Sequence, residues 1–265
     1  MANEAQYSQI ITHVFAKHYK RGSKEVAFDR EEIVDAAEEL GLPRPKNVGD
    51  VVYSFRFRKA FPDAIKKTAP KGLEWILRKA GASRYRLVLS KQWSANPDPH
   101  RSVIKIPDAT PGVIAKYALT DEQALLAILR YNRLIDLFTA VTCYSLQSHL
   151  RTSVTGLGGV ETDELYVGID RWGVQYVMPV QAKGGRDKLG VVQIEQDIAL
   201  CAEKFPSLVC RPIGAQFMRD DVIALFEFEV IETEVTIRDE RHYRLVAPGE
   251  LTPEELAQYQ RAATT

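Results

Sequence analysis

Cysteine is scarce in this chain. Only Cys143, Cys201 and Cys210 occur in 265 residues, an odd number with no C-x-x-C pair. Such a set argues against a disulfide framework or a zinc knuckle and for a reducing cytosol. The simplest reading is three small buried apolar side chains. Long apolar runs are missing too: the strongest, 134–141, is interrupted by Asp136 and is too short to cross a bilayer. No membrane partner is therefore expected. The amino terminus, MANEAQYSQI, lacks a basic segment followed by an apolar one and does not read as a secretory signal, so a cytoplasmic location is expected. His13, His18, His100 and His242 show no metal-ligand spacing. No internal repeat or low-complexity segment is present. What remains is an ordinary globular composition, long enough for one large domain or two modest ones.

Net charge is also absent, with 35 Lys+Arg against 35 Asp+Glu, but the charges are unevenly placed. Residues 1–100 carry an excess of six bases and residues 101–265 an excess of six acids. Between Arg44 and Arg86 twelve bases face only Asp50, Asp63 and Glu74. A stretch this basic attracts polyanions, and counterion release from DNA supplies affinity independent of sequence. The plainer alternative is a solvated surface.

The first unit reads helix, helix, helix, hairpin. Tyr7, Ile10, Ile11, Val14, Phe15 and Tyr19 recur at helical spacing. Asp29 with Glu32 looks like a capping box, followed by the apolar face Ile33, Ala36, Ala37, Leu40 and a stop at Gly41. A third helical segment has Val48, Val51, Val52 and Phe55 on one side. Lys46, Asn47, Tyr53, Ser54, Arg56 and Arg58 are among its other positions. Residues 73–89 then give two strand-like runs joined at 81–83, with Arg84 and Arg86 on one face of the second. This order resembles a winged helix-turn-helix. The resemblance is architectural and covers about a third of the chain. It implies a third helix in the major groove of double-stranded DNA and a wing on the backbone, and those eight polar residues as the DNA-binding set.

Residues 92–119 hold several prolines and read as a linker. Thr120 with Gln123 looks like a second capping box, opening a long, well-buried helix to about 150, followed by a short strand at 151–156. Strand-like runs at 165–170 and 174–183 are joined by Arg171-Trp172-Gly173 and are expected to pair antiparallel. On the second run Val174, Tyr176, Met178, Val180 and Ala182 alternate as an apolar face, so Gln181 and Lys183 project together from the other. Asp163, at the start of the first run, falls near the end of the hairpin where Lys183 leaves. Gly184 and Gly185 would leave room there for a phosphate backbone.

At these residues the chain resembles the P-D-(D/E)-x-K nuclease superfamily, the restriction-endonuclease-like fold. That pattern is an acid on one strand, then an acid or glutamine, any residue and lysine on the next. Here it is Asp163, then Gln181-Ala182-Lys183. The resemblance covers about 120–217 and extends to a following helix through Val191, Ile194, Ile198, Cys201 or Ala202, and Phe205, then a strand at 208–217. It implies a mixed α+β protein: a winged helix (1–91), a linker (92–119) and an αβββαβ nuclease core (120–265). A phosphodiester resists attack because its charge repels nucleophiles and its leaving group is an alkoxide. A hard divalent cation on oxygen ligands offsets that charge and stabilises the leaving oxygen. The resemblance implies Mg2+ or Mn2+ on Asp163, the Gln181 amide oxygen and the Ala182 carbonyl. Lys183 would then orient or deprotonate the attacking water. Gln181 departs from the acidic form of the motif and holds a metal less strongly. Glu161 and Gln193 are secondary candidates. His149, Arg151, Asp136, Gln196 and Trp172 are weaker ones.

Beyond residue 220, two further strands and a short helix from Pro253 are expected. Glu227, Glu229, Glu232, Glu234, Asp239 and Glu240 are expected to face solvent. The reading is a metal-dependent, restriction-type DNA endonuclease. Cutting both strands takes two active sites, so a symmetric homodimer is expected. Two other readings are a DNA-binding regulator with an inactive nuclease-like domain and a repair nuclease that recognises DNA structure.

Overall fold

The computed structural model describes residues 2–263 except 92, 94, 118–121, 185, 186 and 233, and the side chains of 2–4, 58 and 263 are also outside it. The expected cap at Thr120, Gly185 and the Arg58 side chain therefore lie outside the described residues. The fold is mixed α+β, with 34% helix and 36% strand, so neither class of element dominates. Two compact units form: residues 1–94 with 152–160, and residues 95–151 with 161–265.

In the first unit α1 (Ala2–His18) is followed by β1 (Glu25–Asp29), α2 (Glu32–Glu39), α3 (Val48–Tyr53), α4 (Asp63–Lys66), β2 (Leu73–Lys79) and β3 (Arg84–Lys91). Most of the expected helical stripes are buried; Leu40, expected on the apolar face of α2, lies past its end and is 39% exposed. Ile10, Ile11, Val14 and Phe15 of α1, Ile33, Ala36 and Ala37 of α2, and Val51 and Val52 of α3 share one core with Trp75, Leu77 and Leu87. Asn47 caps α3 by accepting from Gly49 N at 2.9 Å. The helix then widens into a single π-turn over Ser54–Arg58, closed by Lys59 N to Ser54 O at 2.8 Å. β1 was not anticipated. It pairs antiparallel with β3, which becomes the middle strand of the order β1-β3-β2. Asp29 closes β1, and its backbone N–H bonds to Glu32 Oε1 at 2.8 Å.

In the second unit β4 (Val103–Pro107) and α5 (Gly112–Tyr117) occupy the stretch expected to be a linker. β4 is held because it adds parallel to a strand 139 residues later, a pairing with no local signal. Next come α6 (Glu122–Tyr131), α7 (Leu134–Thr139), β5 (Thr142–Val154), β6 (Gly158–Ile169) and β7 (Gln175–Lys183), of which residues 152–160, the far end of β5 and the start of β6, count with the first unit. The single long helix expected to reach 150 does not form. Arg133 (φ 49°) and Ala140 (φ 56°) adopt left-handed backbone that ends the helical hydrogen bonding twice, and the chain then extends as β5. The strand expected at 151–156 is the far end of β5. β6 likewise begins at Gly158, so Asp163 lies within the strand and not at its start. α8 (Val191–Lys204) follows, then β8 (Val209–Cys210), β9 (Ile213–Phe217), β10 (Val222–Ile231), β11 (Glu234–Val246) and α9 (Pro253–Ala263).

The described strands order as β4-β11-β10-β9-β7-β6-β5, with β8 also on β7. β7 is central, antiparallel to β6 and parallel to β9, and its residues from Val177 to Ala182 are buried. Met178, Val180 and Ala182 pack with Leu125, Leu126 and Leu129 of α6 and Ile135 of α7.

The acids beyond residue 220 are not all solvated. Glu227 is 4% exposed and Glu240 6%. Arg211 binds Glu227 through Nε at 2.9 Å and Nη2 at 2.7 Å, with Arg238 at 3.3 Å. Glu240 accepts from Asp98 N at 2.7 Å and contacts His242 at 2.8 Å. These carboxylates are tolerated inside because each is paired.

Candidate active site

The expected alternation on β7 holds. Even positions face α6 and α7, and Gln181 faces α8. The β6–β7 register pairs Glu164 with Val180 and Ile169 with Gln175. Asp163 is fixed beside the end of β7 by accepting from Ala182 N through Oδ2 at 2.8 Å. Lys183 Nζ lies among three oxygens: the Ala182 carbonyl at 2.9 Å, Glu122 Oε1 at 3.1 Å and Asp163 Oδ2 at 3.7 Å. The Lys183 and Asp163 side chains are 11% and 14% exposed and Glu122 39%, so the cluster opens to solvent on the Glu122 side.

Gln181 stands beside this cluster but is committed elsewhere. It is 1% exposed. Its Nε2 donates to Asp197 Oδ2 at 2.9 Å and to the Glu161 carbonyl at 3.2 Å, and its Oε1 accepts from Gln193 Nε2 at 3.2 Å. Asp197 is 1% exposed on α8. Burial pushes its carboxyl well above the ordinary value, against the Gln181 bond, with the nearby Asp163 charge adding to the rise and the Thr162 hydrogen bond opposing it. The residue after the motif acid is thus an amide whose donor end meets a buried carboxyl.

Of the secondary candidates, Gln193 joins this network. The Glu161 carboxylate turns outward to Arg151 at 3.0 Å. Glu164 faces the opposite side of the sheet, where Arg130 Nη2 holds it at 2.7 Å and Ser145 also bonds it. Asp136 bonds Arg133 and Cys143 N at the start of β5. Gln196, expected on the polar side of its helix, is buried.

Two participants were missed. Glu122 reaches Lys183 across 61 positions of sequence from the first turn of α6. Asp197 was hidden on a helix face otherwise read from its apolar residues. Its spacing of four from Gln193 was the available signal, since both then lie on one helix face.

Glu122, Asp163 and the Ala182 carbonyl are hard oxygen donors of the kind Mg2+ takes, and each already points at the Lys183 ammonium. That donor set fits a divalent cation if the flexible lysine yields the position. No group of three or more His, Cys, Asp or Glu residues with metal-binding placement occurs among the described residues.

The proposed DNA-reading residues divide into two sets. Lys46 and Tyr53 are exposed, and Tyr53 packs edge-on to Phe57. Asn47 is occupied as the α3 cap, and Ser54 and Arg56 are half-buried, with the Arg56 guanidinium 4.8 Å from the Phe57 ring centre. Arg84 and Arg86 do share a face of β3, but β1 brings acids across it. Asp29 meets Arg84 at 3.1 Å and Glu25 meets Arg86 at 3.4 Å. The free charge expected there is partly offset, because β1 was not foreseen.

No family model, curated protein or solved structure matches the chain.

Proposed function

We propose that this chain is a metal-dependent DNA endonuclease of the P-D-(D/E)-x-K kind, with its basic amino-terminal unit as a winged helix on duplex DNA. The observation that carries the reading is the convergence of Asp163, Glu122 and the Ala182 carbonyl on Lys183 Nζ, at the end of the antiparallel β6–β7 pair. The order of helices and strands in the first unit, and the exposed Lys46 and Tyr53, support DNA as the substrate.

A bound Mg2+ or Mn2+ would supply charge neutralisation at the scissile phosphate. Glu122, Asp163 and the Ala182 carbonyl would hold it. Asp163 is pre-set for this by the Ala182 N–H on Oδ2, and among the described residues no hydrogen bond to its other oxygen is seen. Lys183 is a point charge on a flexible stem, so it can leave the carboxylates and face a phosphate oxygen or the attacking water. The Gln181–Asp197–Gln193 network stiffens the strand that carries both Ala182 and Lys183.

The test is nicking and cleavage of methylated and unmethylated genomic DNA and plasmid with Mg2+ or Mn2+. Lys183→Met and Asp163→Asn should each lower the rate about 10²-fold or more while DNA binding persists. Tight binding with no cutting of any substrate in either metal would sink the proposal.

The second reading, a DNA-binding regulator with an inactive nuclease-like domain, draws on Gln181. Both ends of its amide are already bonded inside the protein. A regulator would bind DNA yet show no Mn2+ at Asp163.

A further inference from the structure

We propose that a second copy of this chain pairs with the open edge of β5, making a two-fold dimer through antiparallel strand addition. β5 is the last strand of its sheet and has β6 as its one strand neighbour among the described residues. Residues 144–149 are all exposed, which is unusual for consecutive residues of a strand, since one face of a sheet normally packs.

The open stretch has defined ends. Cys143 N is satisfied internally by Asp136 Oδ1 at 2.9 Å, and His149 turns into left-handed backbone at φ 49°. Between them stand Tyr144, Ser145, Leu146, Gln147 and Ser148.

Nothing in Thr142–Ser148 guards this edge, for the run contains no Lys, Arg, Asp, Glu or Pro. Natural sheets place such residues where edge pairing must be prevented. Two large apolar side chains, Tyr144 at 60% and Leu146 at 53% exposure, are displayed instead. They are two residues apart on a strand and share a face.

The sequence is self-complementary about its centre. With Ser145 on the two-fold axis, Tyr144 lies opposite Leu146 of the partner subunit, and Leu146 opposite Tyr144 of the partner subunit. Each is an aromatic–aliphatic cross-strand pair. An uncharged segment meets its own copy without like-charge repulsion, and the contact is isologous and closes at two.

This inference stands apart from the nuclease reading, because its test reads mass and not cleavage. Sedimentation equilibrium of the full chain up to about 100 µM, enough to saturate a ~1 µM Kd, should give twice the 29.9 kDa of one chain. The Tyr144→Lys, Leu146→Lys double variant sets lysine opposite lysine in both pairs and should be monomeric while still unfolding cooperatively. The Tyr144→Glu, Leu146→Lys double variant sets opposite charges across the same pairs and should remain dimeric. A wild-type monomer throughout that range overturns the proposal. So does a dimer that survives the double lysine change, whether it forms through another surface or another register. Loss of the dimer in the charge-complementary variant equally refutes the Tyr144–Leu146 register.

Discussion

Gln181→Glu should be badly tolerated, although it restores the acidic form of the motif. The glutamine is 1% exposed, and its Nε2 donates to two acceptors, Asp197 Oδ2 at 2.9 Å and the Glu161 carbonyl at 3.2 Å. A glutamate has no N–H to give either. Two hydrogen bonds at about 1 kcal/mol each are lost, and the acceptors left facing a new carboxylate add a further ~1–3 kcal/mol. The net loss at neutral pH is therefore about 3–5 kcal/mol, which shifts a urea midpoint by about 1.5–2.5 M for a slope near 2 kcal/mol/M. The pH dependence has a definite sign. A carboxyl buried beside Asp197 has its folded pKa raised, so the native state keeps a proton that the unfolded chain releases above about pH 4.3. Relative to the unfolded chain, stability is then retained below that value and lost as the pH rises through the folded pKa. Protonation also gives the new side chain an O–H to donate. Urea titrations followed by circular dichroism at about pH 4.5 and 7.5 should therefore show a small deficit at the lower pH and the full one at the higher. The reciprocal Gln181→Glu, Asp197→Asn variant returns a donor to the pair and should recover part of the loss. A single variant as stable as wild type at neutral pH would refute the reasoning and return Gln181 to a role facing the solvent side of the site.

Arg211→Ala should cost about 3 kcal/mol or more, because it strands a buried carboxylate. Glu227 is 4% exposed and would keep, among the described residues, Arg238 at 3.3 Å, while the bond from Arg211 to the Thr139 carbonyl also disappears. Thermal unfolding measures this, and an unchanged midpoint would show that Arg238 alone suffices. Lys46→Ala removes an exposed cation beside the cap of α3. If it touches phosphate, binding should weaken uniformly across DNA sequences and the log–log salt slope should fall by about 1. A slope equal to wild type in fluorescence anisotropy excludes that contact.

Local periodicity accounts for what could be read directly. Stripes in α1, α2 and α3 named most of their buried faces, because an amphipathic helix shows its packing in its own spacing, whereas in α8 Val191, Ile194 and Cys201 were named but Val192, Gln196, Asp197 and Leu200 were not. Strict alternation on β7 placed Gln181 and Lys183 on one strand face before any partner was known. β5 shows the opposite case. Its exposed middle has no alternation and follows two apolar helices, so it read as more helix. β1 and β4 are five residues each, too short to carry a period, and exist through their ladders to β3 and β11.

By itself, then, the sequence determined the mixed α+β class, the antiparallel β6–β7 hairpin and the shared strand of Gln181 and Lys183. Those depend on neighbours within a few residues, where side-chain periodicity follows backbone geometry. Only the tertiary structure brought Glu122 to Lys183, set Asp197 against Gln181, and carried the acids of β1 across Arg84 and Arg86. Each of those contacts joins residues far apart in the chain or on separate elements. Their meeting is decided by how strands pair and helices pack, and no local pattern records it.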